Sequence, residues 1–484
     1  MDQSWTLSTV FSALRKPVPE SLPQVAISAV QTNPRNCGPG DLFVTGIFEL
    51  NHLGYSRQSQ AVQEAMGNGA SAIMTSLSGL STPPSVFVFQ VDSTGRAMAA
   101  LARFARTQFE GKVIAITGSV GKTSTKDVVD HTLSQFGTSF KTVNNHNSLF
   151  GVCRTIVNAP RRADFAVVEV GASSPGHLQH AKLANADIGI VTRIGISPHL
   201  VHYKDHGEVR REKLSLFDHL AGLKIGITHE SVVAIDRKTD GLLAGKRLSH
   251  LITVGQSDRN DVYCSENRFN GVMNEGVMRV FGSAYPFQLN LPAPHFLDSA
   301  MFAAATAAAL NLDISKALTA LSTATITERR FERFRITLAS GNLELIDDSY
   351  SSGPDAIQAL LKALSYRRVS RKVFVWGDLA GLGDQASYFH SAIANSLQRN
   401  GVDLVLTVGE LTRAACHNLD MPDVRHFTAR HELTAVLEQC ILAGDLVAVK
   451  GSGSTQLGEV ADGIKQLGIC APANSWRVED DRKK

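Results

Sequence analysis

The stretch VIAITGSVGKTSTKDVV, residues 113–129, decides how the rest of the chain is read. The apolar run Val113–Ile116 predicts a strand, Gly118 and Gly121 break it, and Lys122 and Thr123 open a predicted helix. A strand, a glycine turn and a helix in that order aim backbone N–H groups and the positive helix end at phosphate. Gly118, Ser119, Gly121, Lys122, Thr123 and Ser124 are therefore the candidate nucleotide-binding residues. Lys122 would reach the terminal phosphates, and the Thr123 hydroxyl would touch Mg²⁺. The spacing departs from the strict GxxxxGK[ST] pattern, since Ile116 stands at its first glycine.

Working outward from the loop, strands alternate with helices between about residues 108 and 325. FAVVEV (165–170), a helix near 175–184 and IGIVT (188–192) follow the loop, and the Ala-rich run 299–312 reads as a buried helix. That alternation predicts a doubly wound, mainly parallel sheet. Residues 1–107 form a smaller α/β unit, with a strand in GDLFVTGIF (40–48), a helix at 56–70, a strand at 71–75 and a helix at 94–109. Residues 326–484 form a third, with strands in LELIDDS (343–349), KVFVWGD (372–378), VDLVLTVG (402–409) and DLVAVKGS (445–452), and a helix at 354–364. The expected fold class is α/β: three tandem α/β domains, the central one of phosphate-loop type and the C-terminal one Rossmann-like.

Composition narrows the function classes. The chain has 484 residues, 43% hydrophobic and 19% charged, as in a globular protein of several domains. With 48 basic and 45 acidic residues the net charge is only +3, which argues against a general nucleic-acid or membrane-surface binder. No apolar run approaches the ~20 residues of a membrane span, and the N-terminus has no signal-peptide pattern. Six cysteines stand singly, so reduced thiols in a cytoplasmic protein are expected. Small-molecule substrates and a monomer or homodimer complete the expectation.

An ordered series of motifs resembles the Mur ligases, ATP-dependent enzymes that build the peptide of bacterial cell-wall precursors. TGSVGKTST is similar to their TG[TS]xGKT[ST], TVNNHNSLFG (142–151) to TxxNxNNxxG, and FAVVEVGASSPGHL (165–178) to YxVxExGAxxxGEI. VTRIGISPHL (191–200) is similar to VTNIxxAHL, REKLSLFDHL (211–220) to AKGEIFxxL, and LPAPHFLDSAMFAAATAAAL (291–310) to LPGxHNxxNxLAAxAxAL. LIDDSYSSGPD (345–355), WGDLAGLGDQASYFH (376–390) and VKGSGS (449–454) continue the series. The most similar branch adds D-alanyl-D-alanine to UDP-N-acetylmuramoyl-tripeptide.

The resemblance implies ATP and Mg²⁺ as cofactors and an acid–amine ligation through an acyl phosphate, with ADP released. It implies Mg²⁺ ligands at Thr123, Glu169, His199 and Lys213, the lysine being carbamylated by CO₂. His202 and His206 lie near His199, and the motif selects His199. Lys122, Lys213 and His199 are the expected catalytic residues, and Arg333 is expected on the ATP phosphates. Asp347 and Asp348 are expected at the ribose or in the closed site. Substrates would be a small carboxylate and an amine, either an amino acid or a dipeptide.

Several positions depart from the family pattern. HNxxN reads His295-Phe296-Leu297-Asp298-Ser299, YNANP reads Tyr350-Ser351-Ser352-Gly353-Pro354, and Arg193 and Gly453 replace an Asn and an Arg. In the N-terminal unit the uridine-contacting DSR reads Asn33-Pro34-Arg35, and GxxxDGH is absent. A polar site that lacks its partners loses affinity sharply. The leading expectation is therefore a Mur-like ligase acting on a carboxylate without UDP. A genuine cell-wall precursor ligase and an ATP-binding but inactive regulator are the alternatives.

Overall fold

The computed structural model describes residues 5–46, 55–196, 200–271, 273–417 and 423–472. After a two-stranded antiparallel pair, Trp5–Thr6 with Ala26–Ile27, three larger sheets follow one another along the chain. The first is a four-stranded parallel sheet of β1 (Val30–Gln31), β2 (Leu42–Val44), β3 (Ala72–Thr75) and β4 (Phe87–Gln90), in that order. Helix α1 (Tyr55–Gly67) connects β2 to β3, and α2 (Thr94–Gln108) leads out of the sheet. Ala97, Met98, Leu101, Ala102 and Ala105 of α2 are buried in a core shared with the next sheet. The expected division at residue 107 thus falls in the last turn of a helix that serves both units. Asn158 ties them further, exchanging two hydrogen bonds with the Val30 backbone (2.8 and 2.9 Å).

The second sheet holds β5 (Lys112–Thr117), β6 (Ser139–Lys141), β7 (Phe165–Glu169), β8 (Ile188–Val191), β9 (Ile225–His229), β10 (His250–Gly255), β11 (Val262–Phe269), β12 (Asn274–Val280) and β13 (Ser283–Leu289). Its spatial order is β13-β12-β11-β10-β9-β8-β5-β7-β6, parallel from β6 through β11. The interior strands are apolar on both faces because helices cover both. Helix α3 (Lys122–Leu133) packs against α6 (Phe296–Ala309) on one face, and α2 packs against α4 (Leu149–Asn158) on the other. The order reverses beside β5, and in open sheets that switch point is where ligands bind, beyond the strands' carboxyl ends. The antiparallel ribbon β11–β13 is an addition to the expected parallel sheet. The segment expected as a helix at 175–184 is a tight turn, His177–His180, followed by the single helical turn Ala181–Ala184.

The third sheet has the order β18-β17-β16-β19-β15-β14-β20, with β14 (Glu332–Leu338), β15 (Gly341–Asp347), β16 (Arg371–Gly377), β17 (Leu404–Val408), β18 (Val424–Phe427), β19 (Asp445–Lys450) and β20 (Ile469–Pro472). β15 through β18 are parallel and β14 pairs antiparallel at one side. Helix α7 (Pro354–Ser365) turns its buried Ile357, Leu360, Leu361 and Leu364 into a core continuous with that of the central sheet. Its Asp355 also accepts the Ile196 amide (3.0 Å), so the C-terminal unit closes over the switch point. No helix among the described residues is long and apolar enough to cross a membrane.

Candidate active site

β5 delivers the chain to Gly118 and Gly121, whose φ values of +151° and +86° lie where L side chains are strained. A Cβ on Gly118 would collide with Thr192 Oγ1. Gly121 caps α3 without a side chain, which leaves the first amides of the helix facing outward. The next strand pins the loop from beside: Ser119 N donates to Arg193 O (2.7 Å) and Thr192 Oγ1 to Val120 O (2.7 Å). Lys122 Nζ folds over the loop onto Gly118 O (2.9 Å) and Ser119 O (3.3 Å). Burial lowers its pKa, while Glu169 pulls the other way. Gly118, Ser119, Gly121, Lys122, Thr123 and Ser124 all line one cleft of about 860 Å³.

Glu169, at the carboxyl end of β7, is fully buried beside the loop. Its two oxygens accept from Thr123 Oγ1 (2.9 Å) and Asn147 Nδ2 (2.8 Å), and Lys126 Nζ stands 3.9 Å away. A hydroxyl and a carboxylate next to a phosphate loop suit Mg²⁺, which takes one or two protein oxygens and fills its shell with phosphate and water. Among the described residues no three His, Cys, Asp or Glu side chains gather into a metal cage. His199 lies outside the described residues. His202 ends the turn Leu200–His202, and His206 opens α5 (His206–Leu214).

Lys213, in the last turn of α5, is buried yet lines the same cleft. Burial, and next the charge of Lys122, lower its pKa to about 7 against the opposing pull of Glu212. A lysine amine that is substantially uncharged at neutral pH is a nucleophile.

The C-terminal unit supplies the opposite wall. Arg330 enters the cleft over the Tyr350 ring (4.5 Å), and its buried Nε makes no hydrogen bond. Lys450, at the end of β19, is buried and held by Asp348 Oδ2 (2.8 Å) and the Ser351 carbonyl (2.8 Å). Lys122, Lys213, Arg330 and Lys450 thus converge with Glu169 on one cavity. This constellation can offset the charge of a phosphoryl group passing from nucleotide to carboxylate.

A family model described as the Mur ligase middle domain matches residues 116–307, and one described as the Mur ligase glutamate ligase domain matches 329–453. The chain belongs to the Mur ligase family. It is 27% identical to the UDP-N-acetylmuramoyl-tripeptide–D-alanyl-D-alanine ligase of Bacillus subtilis over 409 residues, 82% of this chain and 86% of that protein. It is 25% identical to the Escherichia coli enzyme of the same name, over 92% of this chain and 95% of that protein. In fold it is similar to MurF from Acinetobacter baumannii (TM-score 0.78, 21% identity, 96% and 99% of the two chains). It is also similar to the Thermotoga maritima MurF ligase solved with ADP (TM-score 0.73, 22% identity, 91% and 97%). As a Mur ligase it is an ATP-dependent carboxylate–amine ligase that works with ATP and Mg²⁺.

Within this Mur ligase two sequence assignments need correction. Arg333 lies on β14 and faces away from the cleft, its Nε on Glu344 Oε1 (2.6 Å). Arg330, three residues earlier, lines the cleft instead. Asp347 is buried against Lys465 (2.8 Å) and Ser349 (2.6 Å), while its neighbour Asp348 borders the cleft. Adjacent residues at a strand end point to opposite sides, and only one of the pair faces ligand. Arg330→Ala should lower turnover by roughly 10²-fold, the scale of one lost transition-state cation. Arg333→Ala should instead lower the melting temperature and spare kcat. Steady-state rates and thermal melts of both variants check this.

One other departure proves to have a partner in the cleft. Arg193 Nε meets Asp298 Oδ2 at 2.5 Å, so the Asn-to-Arg change carries its own counter-charge across the cleft. In the N-terminal unit Arg35 forms a surface ion pair with Glu64 (3.4 Å), and Asn33 caps the turn Pro34–Asn36. Asn147, Lys450 and His177 also border the cleft and were not singled out from sequence.

Proposed function

We propose that the protein joins the amine of D-alanyl-D-alanine to the terminal carboxylate of UDP-N-acetylmuramoyl-tripeptide, forming an amide, ADP and phosphate in the cytoplasm. The observation that carries the ligase chemistry is the single cleft that unites the phosphate loop, Glu169 and Lys213 with Arg330 and Lys450. The choice of substrates is supported by relatives that bear this name across 79–92% of the chain. That support outweighs the sequence expectation of an acid without UDP.

The residues divide the work as follows. The α3 amides and Lys122 would hold the terminal phosphates, Lys122 turning from the loop carbonyls it now caps. Thr123 and Glu169 would hold Mg²⁺, which supplies charge neutralisation between phosphate and carboxylate when bound. Arg330 and Lys450 would stabilise the phosphoryl group in transit from the C-terminal side. The carboxylate attacks the terminal phosphorus, ADP leaves, and the amine then displaces phosphate from the acyl carbon. The seat of α7 on Ile196 would keep water from the acyl phosphate.

Arg35 and Asn33, engaged with their own unit, favour a second reading in which the acid lacks a nucleotide. ADP release and product mass, with the cell-wall pair against a panel of peptides and small carboxylates, separate the two. Saturable turnover and the expected pentapeptide mass are predicted. Turnover of a panel acid alone would replace the proposal with the second reading.

A further inference from the structure

The second half-reaction needs a proton acceptor, because an amine at neutral pH is protonated and cannot attack. Among the described residues each cleft carboxylate is already engaged. Glu169 accepts from Thr123 and Asn147, Asp298 from Arg193, Asp348 from Lys450 and Asp355 from the Ile196 amide. Two imidazoles line the cleft. His295 stands among the rings of Phe296 (4.4 Å) and Phe331 (5.7 Å), and burial lowers its pKa to about 4.

His177 is placed differently. The amides on either side of it, Gly176 N and Leu178 N, both donate to the Glu212 carboxylate (2.9 and 2.6 Å), and Glu212 precedes Lys213. This clamp fixes the turn that carries His177 against the helix that carries Lys213. His177 Nδ1 lies 2.6 Å from Ser173 Oγ, which also borders the cleft. With Nδ1–H donating to that hydroxyl, Nε2 keeps its lone pair for an incoming proton. His180 packs beside it (ring centroids 5.3 Å), and burial holds its pKa at about 4, so it adds no competing charge.

We propose that His177, oriented by Ser173, is the general base that takes a proton from the attacking amine. The inference rests on the ligase reading above. The ammonium gives one proton to His177 Nε2, and the free amine nitrogen bonds to the acyl carbon. As the C–O bond to phosphate breaks, the second nitrogen proton leaves with the phosphate, and His177 returns its proton to solvent.

Exchanging the nucleophile tests this. Hydroxylamine is largely free base at neutral pH and traps acyl phosphates as hydroxamates without a base. His177→Gln should lower dipeptide ligation by about 10²–10⁴-fold, the usual worth of a general base, and change hydroxamate formation by less than about threefold. Added imidazole should partly restore ligation in His177→Ala. An equal fall with both nucleophiles and no imidazole rescue, or undiminished ligation in His177→Gln, would overturn the proposal. The wild-type protein is run first with D-alanyl-D-alanine. If that pair is inert, the substrate reading fails by itself, and the comparison uses the panel amine that the protein does ligate.

Discussion

Lys213→Ala is expected to lose activity by roughly 10³-fold, comparable to deleting a principal electrostatic group of an active site. The reason is the state of the amine. With burial lowering its pKa to about 7, far more of Lys213 is uncharged at neutral pH than of an ordinary lysine. The neutral Nζ would attack CO₂, forming an N–C bond and releasing a proton, and the resulting carbamate would add anionic oxygens beside Glu169, where no three His, Cys, Asp or Glu side chains gather among the described residues. Short carboxylic acids should partly rescue the alanine variant by filling the vacated position. Burial of the charge also has a pH signature. Between about pH 7 and the ordinary lysine value, the unfolded chain holds a proton that the folded chain has shed. Stability should therefore rise with pH across that window. Full activity of Lys213→Ala, with no response to added acids, would remove the lysine from the site.

Lys122→Ala should abolish phosphoryl transfer by about 10³-fold or more while leaving the melting temperature close to wild type. The ammonium makes its bonds to the loop's own carbonyls, so little of the fold depends on it. Its charge is part of what the transferring phosphoryl group would meet. Calorimetry should show weaker ATP·Mg²⁺ binding in the variant. Equal affinity in the two proteins would contradict the phosphate-loop assignment.

Local features were legible in the sequence. The loop at 117–124 declares itself because strand, glycines, lysine and helix follow within a dozen residues, and backbone strain at Gly118 and Gly121 leaves few alternatives. What failed was direction. ERRFERFR offers four arginines, and the choice among them turns on Arg329 and Phe331, both with positive φ, which swing Arg330 out of line with β14. Non-glycine residues rarely adopt that conformation, and no sequence pattern marks it. The ribbon β11–β13 was missed for a similar reason: its two-residue turn is Phe281-Gly282, both at positive φ, where Asn-Gly or Asp-Gly is the usual signal. The Arg193–Asp298 pair joins residues far apart in the chain, so Arg193 looked like an isolated loss of a family amide until the fold brought Asp298 to it. His177 stands in GASSPGHL with no local pattern to mark it, and its clamp by Glu212 exists only in three dimensions.

The central claim is that this cleft makes an acyl phosphate. Its most direct measurement follows ¹⁸O from the tripeptide carboxylate of UDP-N-acetylmuramoyl-tripeptide during ligation to D-alanyl-D-alanine. Attack of that carboxylate on the terminal phosphorus places one labelled oxygen in the inorganic phosphate released per amide formed, with ADP as the nucleotide product. Unlabelled phosphate, or label recovered in AMP, would contradict the account.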